Sequence, residues 1–248
     1  MVMEDLAELY SEQGRYAQSE PLFAIVLSRQ QRLLGEEHPD TLLTITNLAR
    51  TYRRQGKYTQ AEPLYLKAVN TTRRVLGEEH AQTLWTIRGL IKLYVLQGNY
   101  VKAEQLCTQL LHIQRPMMSA ENPDSLATLN DLGSLYLKQE KYRQAEKLLR
   151  DGLTKQMASD TWLRYNCESL LGASLTGQKR YAEAEPLLLS SYEGMMRLKT
   201  TIPPYEQSTL TDGRDRLVRL YERWGKTQKA AAWRNLNSSA SANSGKAR

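Results

Sequence analysis

The chain has 248 residues, 41% of them hydrophobic and 25% charged, with two cysteines and one phenylalanine. That is enough apolar material for a packed core, and no apolar run approaches the roughly 20 residues that a membrane-spanning helix needs. The net charge of +7 comes from signs mixed along every segment, with no compact Lys/Arg block, so it describes a solvated surface rather than a nucleic-acid footprint.

The stretch Met1 to Leu6 is acidic, not a basic segment leading into an apolar one, so a secretory leader is not expected and the expected location is cytoplasmic. Leu6, Ala7 and Tyr10 begin a first helix that Gly14 should end. A second helix runs from Tyr16 through Glu20 and Pro21. The loop from Leu34 to Thr41 follows, and Asp40, after Pro39, is the expected carboxylate cap of the third helix, as Asp124 after Pro123 is of a later one. Ile45, Leu48, Ala49 and Tyr52 then mark one helical stripe, and Ala61, Leu64, Tyr65 and Ala68 mark another beyond Gly56.

The pattern repeats. Leu6, Leu48, Leu90 and Leu132 are separated by 42 residues, as are Gly14, Gly56 and Gly98, and Glu20, Glu62, Glu104 and Glu146. A fifth copy begins at Leu171 after 39 residues and a sixth at Leu217 after 46. The fold expected is all-α, a right-handed superhelical solenoid of about six helix-turn-helix repeats. Its units lie near 1–35 (truncated), 40–77, 82–118, 124–157, 160–199 and 205–236. Ala49, Gly133 and Gly172 should leave room for the crossing helix, while Tyr52, Tyr94 and Tyr136 fill the facing gap. Residues 237–248, rich in Ser, Ala and Asn, are expected to be a disordered tail.

The run Leu34-Gly35-Glu36-Glu37-His38-Pro39-Asp40-Thr41 with Ala61-Glu62-Pro63-Leu64-Tyr65 resembles the 42-residue tetratricopeptide repeats of kinesin light chains and their bacterial relatives. The resemblance implies a non-enzymatic scaffold that binds a peptide or protein segment in its concave groove. In that family, paired asparagines on the first helix hold the bound peptide. Here Asn47 takes the second of those places in the second repeat and Asn130 the first in the fourth, whereas the third repeat has Arg88-Gly89. The segment from Leu170-Leu171-Gly172 through Gln178-Lys179-Arg180-Tyr181 to Trp224-Gly225-Lys226 is similar to the carboxyl-terminal repeats of bacterial serine/threonine kinases. The alternative it implies is a docking or regulatory arm whose kinase domain is absent from this chain, which has no glycine-rich phosphate loop and no HRD or DFG motif. Met1 falls inside the first helix of the first repeat, so the chain is expected to be the end of a longer protein, and Leu6, Leu9 and Tyr10 are expected to favour self-association.

By that analogy the inner wall is lined by Asn47, Arg50, Arg53, Arg54, Arg88, Lys92, Asn130 and Lys138, with Glu4, Glu8 and Glu12 on the same face of the first repeat. The ligand expected is an extended segment with an acidic stretch lying across repeats two to four. No carboxylate-clamp set of Lys, Asn and Arg stands in register. For chemistry the sequence offers little. His38 and His80 share an inter-repeat loop position, His112 lies in a second helix, and none has an evident partner. Cys107 and Cys167 read as small buried residues, and the pairs Glu36-Glu37 and Glu78-Glu79 as solvated loop residues. No metal, cofactor, nucleophile or catalytic residue is expected, and the tyrosines follow the packing register rather than that of a nucleic-acid stacking platform.

Overall fold

The computed structural model describes residues 2–114, 123–155, 160–203 and 206–236. The chain forms two compact units, 1–116 and 117–248. Unit one holds α1 (Val2–Glu12), α2 (Tyr16–Leu33), α3 (Pro39–Arg54), α4 (Tyr58–Leu76), α5 (Ala81–Leu96) and α6 (Tyr100–Gln114). Unit two holds α7 (Pro123–Lys138), α8 (Tyr142–Lys155), α9 (Trp162–Gly177), α10 (Tyr181–Arg197), α11 (Ser208–Arg223) and α12 (Thr227–Asn235), with a short 3₁₀ turn at Lys199–Thr201. Within each unit every helix packs on the next, and the odd-numbered first helices also touch one another, α1 on α3 on α5 and α7 on α9 on α11. Among the described residues each unit is an all-α stack of helix pairs. The tail expected at 237–248 lies outside the described residues.

Apolar spacing and small residues build the pairs. Leu42, Ile45 and Ala68 form one buried cluster, and Ala7, Phe23 and Leu48 another. A β-carbon on Gly133 would come 2.8 Å from Leu149, and one on Gly172 would come 2.6 Å from Leu188, so the leucines of the second helices seat directly on the backbone of the first. Gly89 has the same use, because its missing β-carbon would lie 2.5 Å from the ring of buried Tyr65. This packing accounts for the glycine at position 89 in place of the family's asparagine. In unit two, Tyr181 stacks on Trp224 and Tyr192 meets Trp233 edge-on, closing the last pair with aromatic contacts. Pro21, Pro63 and Pro186 each stand sixth in a helix that continues through them, all three exposed, so each removes one internal hydrogen bond without a buried penalty.

The inter-repeat loop differs from the sequence expectation. Asp40 is not the cap. Pro39 already occupies the first helical position, so the cap falls one residue earlier, on His38, whose Nδ1 accepts the Asp40 N–H at 3.2 Å. His80 caps α5 in the same way through the Gln82 N–H, so these two histidines do have partners. The Asp124 side chain is outside the described residues. Thr41 donates its hydroxyl to the Gly35 carbonyl and Thr83 to that of Gly77, both at 2.8 Å. Glu36 pairs with Lys67 at 2.7 Å and Glu37 with Arg74 at 2.6 Å, so the loop glutamates are more than solvated surface.

The glutamates recurring in the second helices tie each pair to the turn of the next. Glu20 accepts from Lys57 at 2.7 Å and Gln55 at 3.0 Å, Glu62 from Gln97 at 3.0 Å, and Glu146 from Arg180 and Gln178 at 2.8 Å. Glu185 takes Lys229 at 2.8 Å and the Tyr221 hydroxyl at 2.9 Å. The Lys57 hydrogen bond holds the Glu20 carboxyl below its usual range against partial burial, and the Lys229 bond does the same for Glu185. Burial raises Glu146, but Gln178, Arg150 and Arg180 outweigh it and the net shift is downward.

Candidate functional site

Within each unit the first helices lie side by side, and along the sequence the repeats give them equivalent register places. One place is held by Asn47, then Gly89, Asp131, Leu170 and Arg216. The place three residues on is held by Arg50, Lys92, Ser134, Ala173 and Arg219, and the place four beyond that by Arg54, Leu96, Lys138, Gly177 and Arg223.

In unit one, α3 concentrates positive charge. The Arg50 side chain is only 14% exposed, lies 5.3 Å over the Trp85 ring and reaches Glu8 at 3.9 Å. Arg54 donates to the Ser11 carbonyl at 3.0 Å, and burial, followed by the charge of Arg50 and then that of Arg53, pushes its pKa down. Among the described residues Arg53 and Arg54 form no ion pair, and the Nε atoms of Arg50 and Arg53 are buried without a hydrogen-bond partner. Asn47 is buried, donating to Glu8 at 2.7 Å with its Oδ1 unsatisfied. Two acidic residues of the first repeat are therefore engaged: Glu4 accepts from Thr44 at 2.9 Å, and Glu8 sits between Asn47 and Arg50. A ligand carboxylate reaching Asn47 would have to displace Glu8. Arg88 and Lys92 are half-buried on α5.

Asn130 does not lie on the same line as Asn47. It stands one residue earlier in register, at the place of Thr46, and that place points toward the neighbouring first helix. Thr46 faces the Thr86 hydroxyl at 3.3 Å, and Asn130 donates to the Leu163 carbonyl at 2.9 Å with only 3% exposure. One residue turns a side chain by about 100° around a helix, which separates a groove position from an inter-helix seam. Lys138 is exposed at the end of α7.

Sequence reasoning missed the site in unit two. A cavity of about 290 Å³ lies among α7, α8, α9 and α11, lined by Ser134, Lys138 and Tyr142 together with Ala173, Thr176 and the arginines Arg216, Arg219 and Arg223. The last three occupy the register places of Asn47, Arg50 and Arg54. Subtracting the irregular steps of 39 and 46 would have found them. The fifth repeat has Ala173 and Gly177 at places where the second repeat has two arginines; Ala173 lines the cavity and Gly177 admits the Tyr142 ring. A β-carbon on Gly177 would lie 2.3 Å from the Tyr142 ring that walls the cavity. Burial pushes the Arg216 pKa down to about 10, against attraction from Asp212. Its Nη1 donates to Ser169 Oγ at 3.0 Å and to Asn166 Oδ1 at 3.3 Å.

Cys107 and Cys167 are buried, burial followed by the Glu168 charge pushing the Cys167 thiol up to about 12. Among the described residues no three His, Cys, Asp or Glu gather as metal ligands.

The tetratricopeptide repeat family model matches residues 1–71, 41–115 and 88–156. The chain belongs to the tetratricopeptide repeat family. No curated protein matches it. A kinesin-light-chain-type protein of Podosopora anserina with nearly identical tetratricopeptide-like repeats is similar in structure, with a TM-score of 0.69 and 25% identity over 81% of this chain and 95% of that one. BtubC (BKLC) from P. vanneervenii gives 0.68 at 19% identity, covering 79% and 80%. A Rap protein complexed with Competence and Sporulation Factor gives 0.65 at 11% identity, covering 94% and 72%, which is a likeness of fold. Tetratricopeptide arrays of this kind are protein–protein interaction scaffolds, and among the described residues no helix is long and apolar enough to cross a membrane.

Proposed function

We propose that this tetratricopeptide protein binds an extended polypeptide segment carrying acidic side chains, laid along the first helices of its repeats. The observation that carries the reading is the crowding of Arg50, Arg53 and Arg54 on one helix, where the charges of Arg50 and Arg53 oppose that of Arg54 and, among the described residues, Glu8 alone forms an ion pair with the group. Like charges held together by packing lack a counter-charge, and a ligand carboxylate supplies it through charge-assisted hydrogen bonds. Arg88 and Lys92 add the same sign on α5, and Lys138 carries it on α7 of unit two, while Asn47 is engaged with Glu8 and Asn130 holds the seam to the Leu163 carbonyl. The Rap protein complexed with Competence and Sporulation Factor supports the reading at the level of fold, as a stack of this kind holding a separate factor.

The test is selection of random displayed peptides on the full chain, followed by affinity measurement on the Arg53→Glu/Arg88→Glu double variant. Acidic sequences should be enriched, and their affinity should fall at least about tenfold in the variant, roughly 1.4 kcal/mol. Selected peptides without acidic bias, or an affinity indifferent to the charge reversal, would refute it.

A further inference from the structure

The unit-two cavity has the marks of a socket for one oxyanion. Four cations, Lys138, Arg216, Arg219 and Arg223, line it against two carboxylates, Asp212 and Asp215. Asp215 is already taken by Arg214 at 2.9 Å, and Asp212 forms no ion pair among the described residues. Arg216 is the centre of the arrangement. Its guanidinium is aimed by bonds from Nη1 to Asn166 and Ser169, which fix the plane of the fork, while Nε and Nη2 make no hydrogen bond among the described residues. Neither atom is among the fully buried unsatisfied ones, and Arg216 lines the cavity. A guanidinium edge presenting two parallel donors matches the two oxygens of a carboxylate or phosphate.

We infer that the cavity walled by Tyr142, Ala173 and Thr176 binds the carboxylate or phosphate group of a ligand side chain, with the Nε and Nη2 edge of Arg216 as its two-point anchor and Lys138, Arg219 and Arg223 as surrounding charge. The inference rests on the reading of the first-helix faces as the binding surface and adds what one part of that surface selects. At about 290 Å³ the cavity has room for a glutamate or a phosphoserine side chain. The small residues of the fifth repeat set the shape and the arginines of the sixth set the charge.

The experiment is titration of the full chain, labelled with ¹⁵N, while the arginine Nε–H resonances are followed. The probes are inorganic phosphate, glutamate blocked at both backbone ends, similarly blocked phosphoserine, and blocked glutamine as the neutral isostere. Blocked glutamate or blocked phosphoserine should shift the Arg216 resonance saturably and blocked glutamine should not. The two blocked acids separate a carboxylate ligand from a phosphorylated one. Arg216→Gln should weaken binding at least tenfold. Ala173→Leu pushes three further carbons from the cavity wall into its interior without removing a charge and should do the same, which keeps the test decisive if Arg216→Gln unfolds. Unsaturable shifts spread over all arginines, glutamine binding as well as glutamate, or full binding in Ala173→Leu would each overturn the socket. Response to inorganic phosphate alone would overturn the side-chain assignment. These probes need no polypeptide and no residue of unit one, so their failure is distinguishable from failure of the peptide selection.

Discussion

Replacing Lys179 by glycine should make the protein more stable, although it exchanges a charged surface residue for the least constrained one. The turn between the helices of each repeat uses a left-handed residue. Gly14, Gly56, Gly98 and Gly225 hold it with φ between 73° and 78°, but Glu140 and Lys179 hold it with φ of 57° and 64°. An L side chain in that region costs about 1–2 kcal/mol, and the larger freedom of glycine in the unfolded chain returns about 0.4–1 kcal/mol of the gain. The net for Lys179→Gly is roughly 0.5–1 kcal/mol. The Lys179 side chain is exposed and makes no hydrogen bond or ion pair among the described residues, so little else is lost. Gly56→Ala is the mirror experiment, because a β-carbon there meets nothing within 4 Å and the expected loss of about 1 kcal/mol is purely backbone. Urea unfolding followed by far-ultraviolet circular dichroism should move the midpoint up by about 0.3–0.5 M for Lys179→Gly and down by a similar amount for Gly56→Ala, with unchanged slope. A lowered or unmoved midpoint for Lys179→Gly would refute the account of the turn.

Truncating a cap tests the corrected helix boundary. His80→Ala should destabilise unit one by about 1 kcal/mol in the same assay, and His80→Asn, which retains an acceptor, should recover most of it. Acid should loosen the links between repeats. Glu20, Glu146 and Glu185 have folded pKa values below their unfolded ones, so the stability they add is complete above about pH 4.5 and is lost as the pH falls through the folded values. Thermal melts between about pH 6 and 3 should show that loss, and a Glu20→Gln/Glu146→Gln/Glu185→Gln variant with an identical profile would remove the explanation.

The helix pairs were legible because leucine, alanine and tyrosine recur at helical spacing within a repeat and at 42 residues between repeats, and both periods follow from packing. The cap was misread because a carboxylate after proline looks like a cap, whereas proline's fixed φ suits the first helical residue and moves the cap one place back to His38. Asn130 was placed by family pattern on a groove although it shares the register of Thr46, and a single residue decides which face a side chain takes. Arg216, Arg219 and Arg223 were hidden for another reason. Their repeat arrives after a changed step, and the cavity they line depends on the small residues of the repeat before it, so neither sequence segment announces the site alone.

The loops at 34–41 and 76–83 close upon themselves. In each, a glycine with φ above 90° turns the chain, a histidine caps the helix to come, and a threonine hydroxyl returns to the glycine carbonyl. Such a joint asks almost nothing of the helices on either side beyond their ordinary packing. Genetic duplication or deletion cut at this point would yield a longer or shorter array with every joint still chemically complete. The number of repeats is then a quantity that evolution can adjust in whole steps, leaving the faces that meet a partner to diverge one helix at a time.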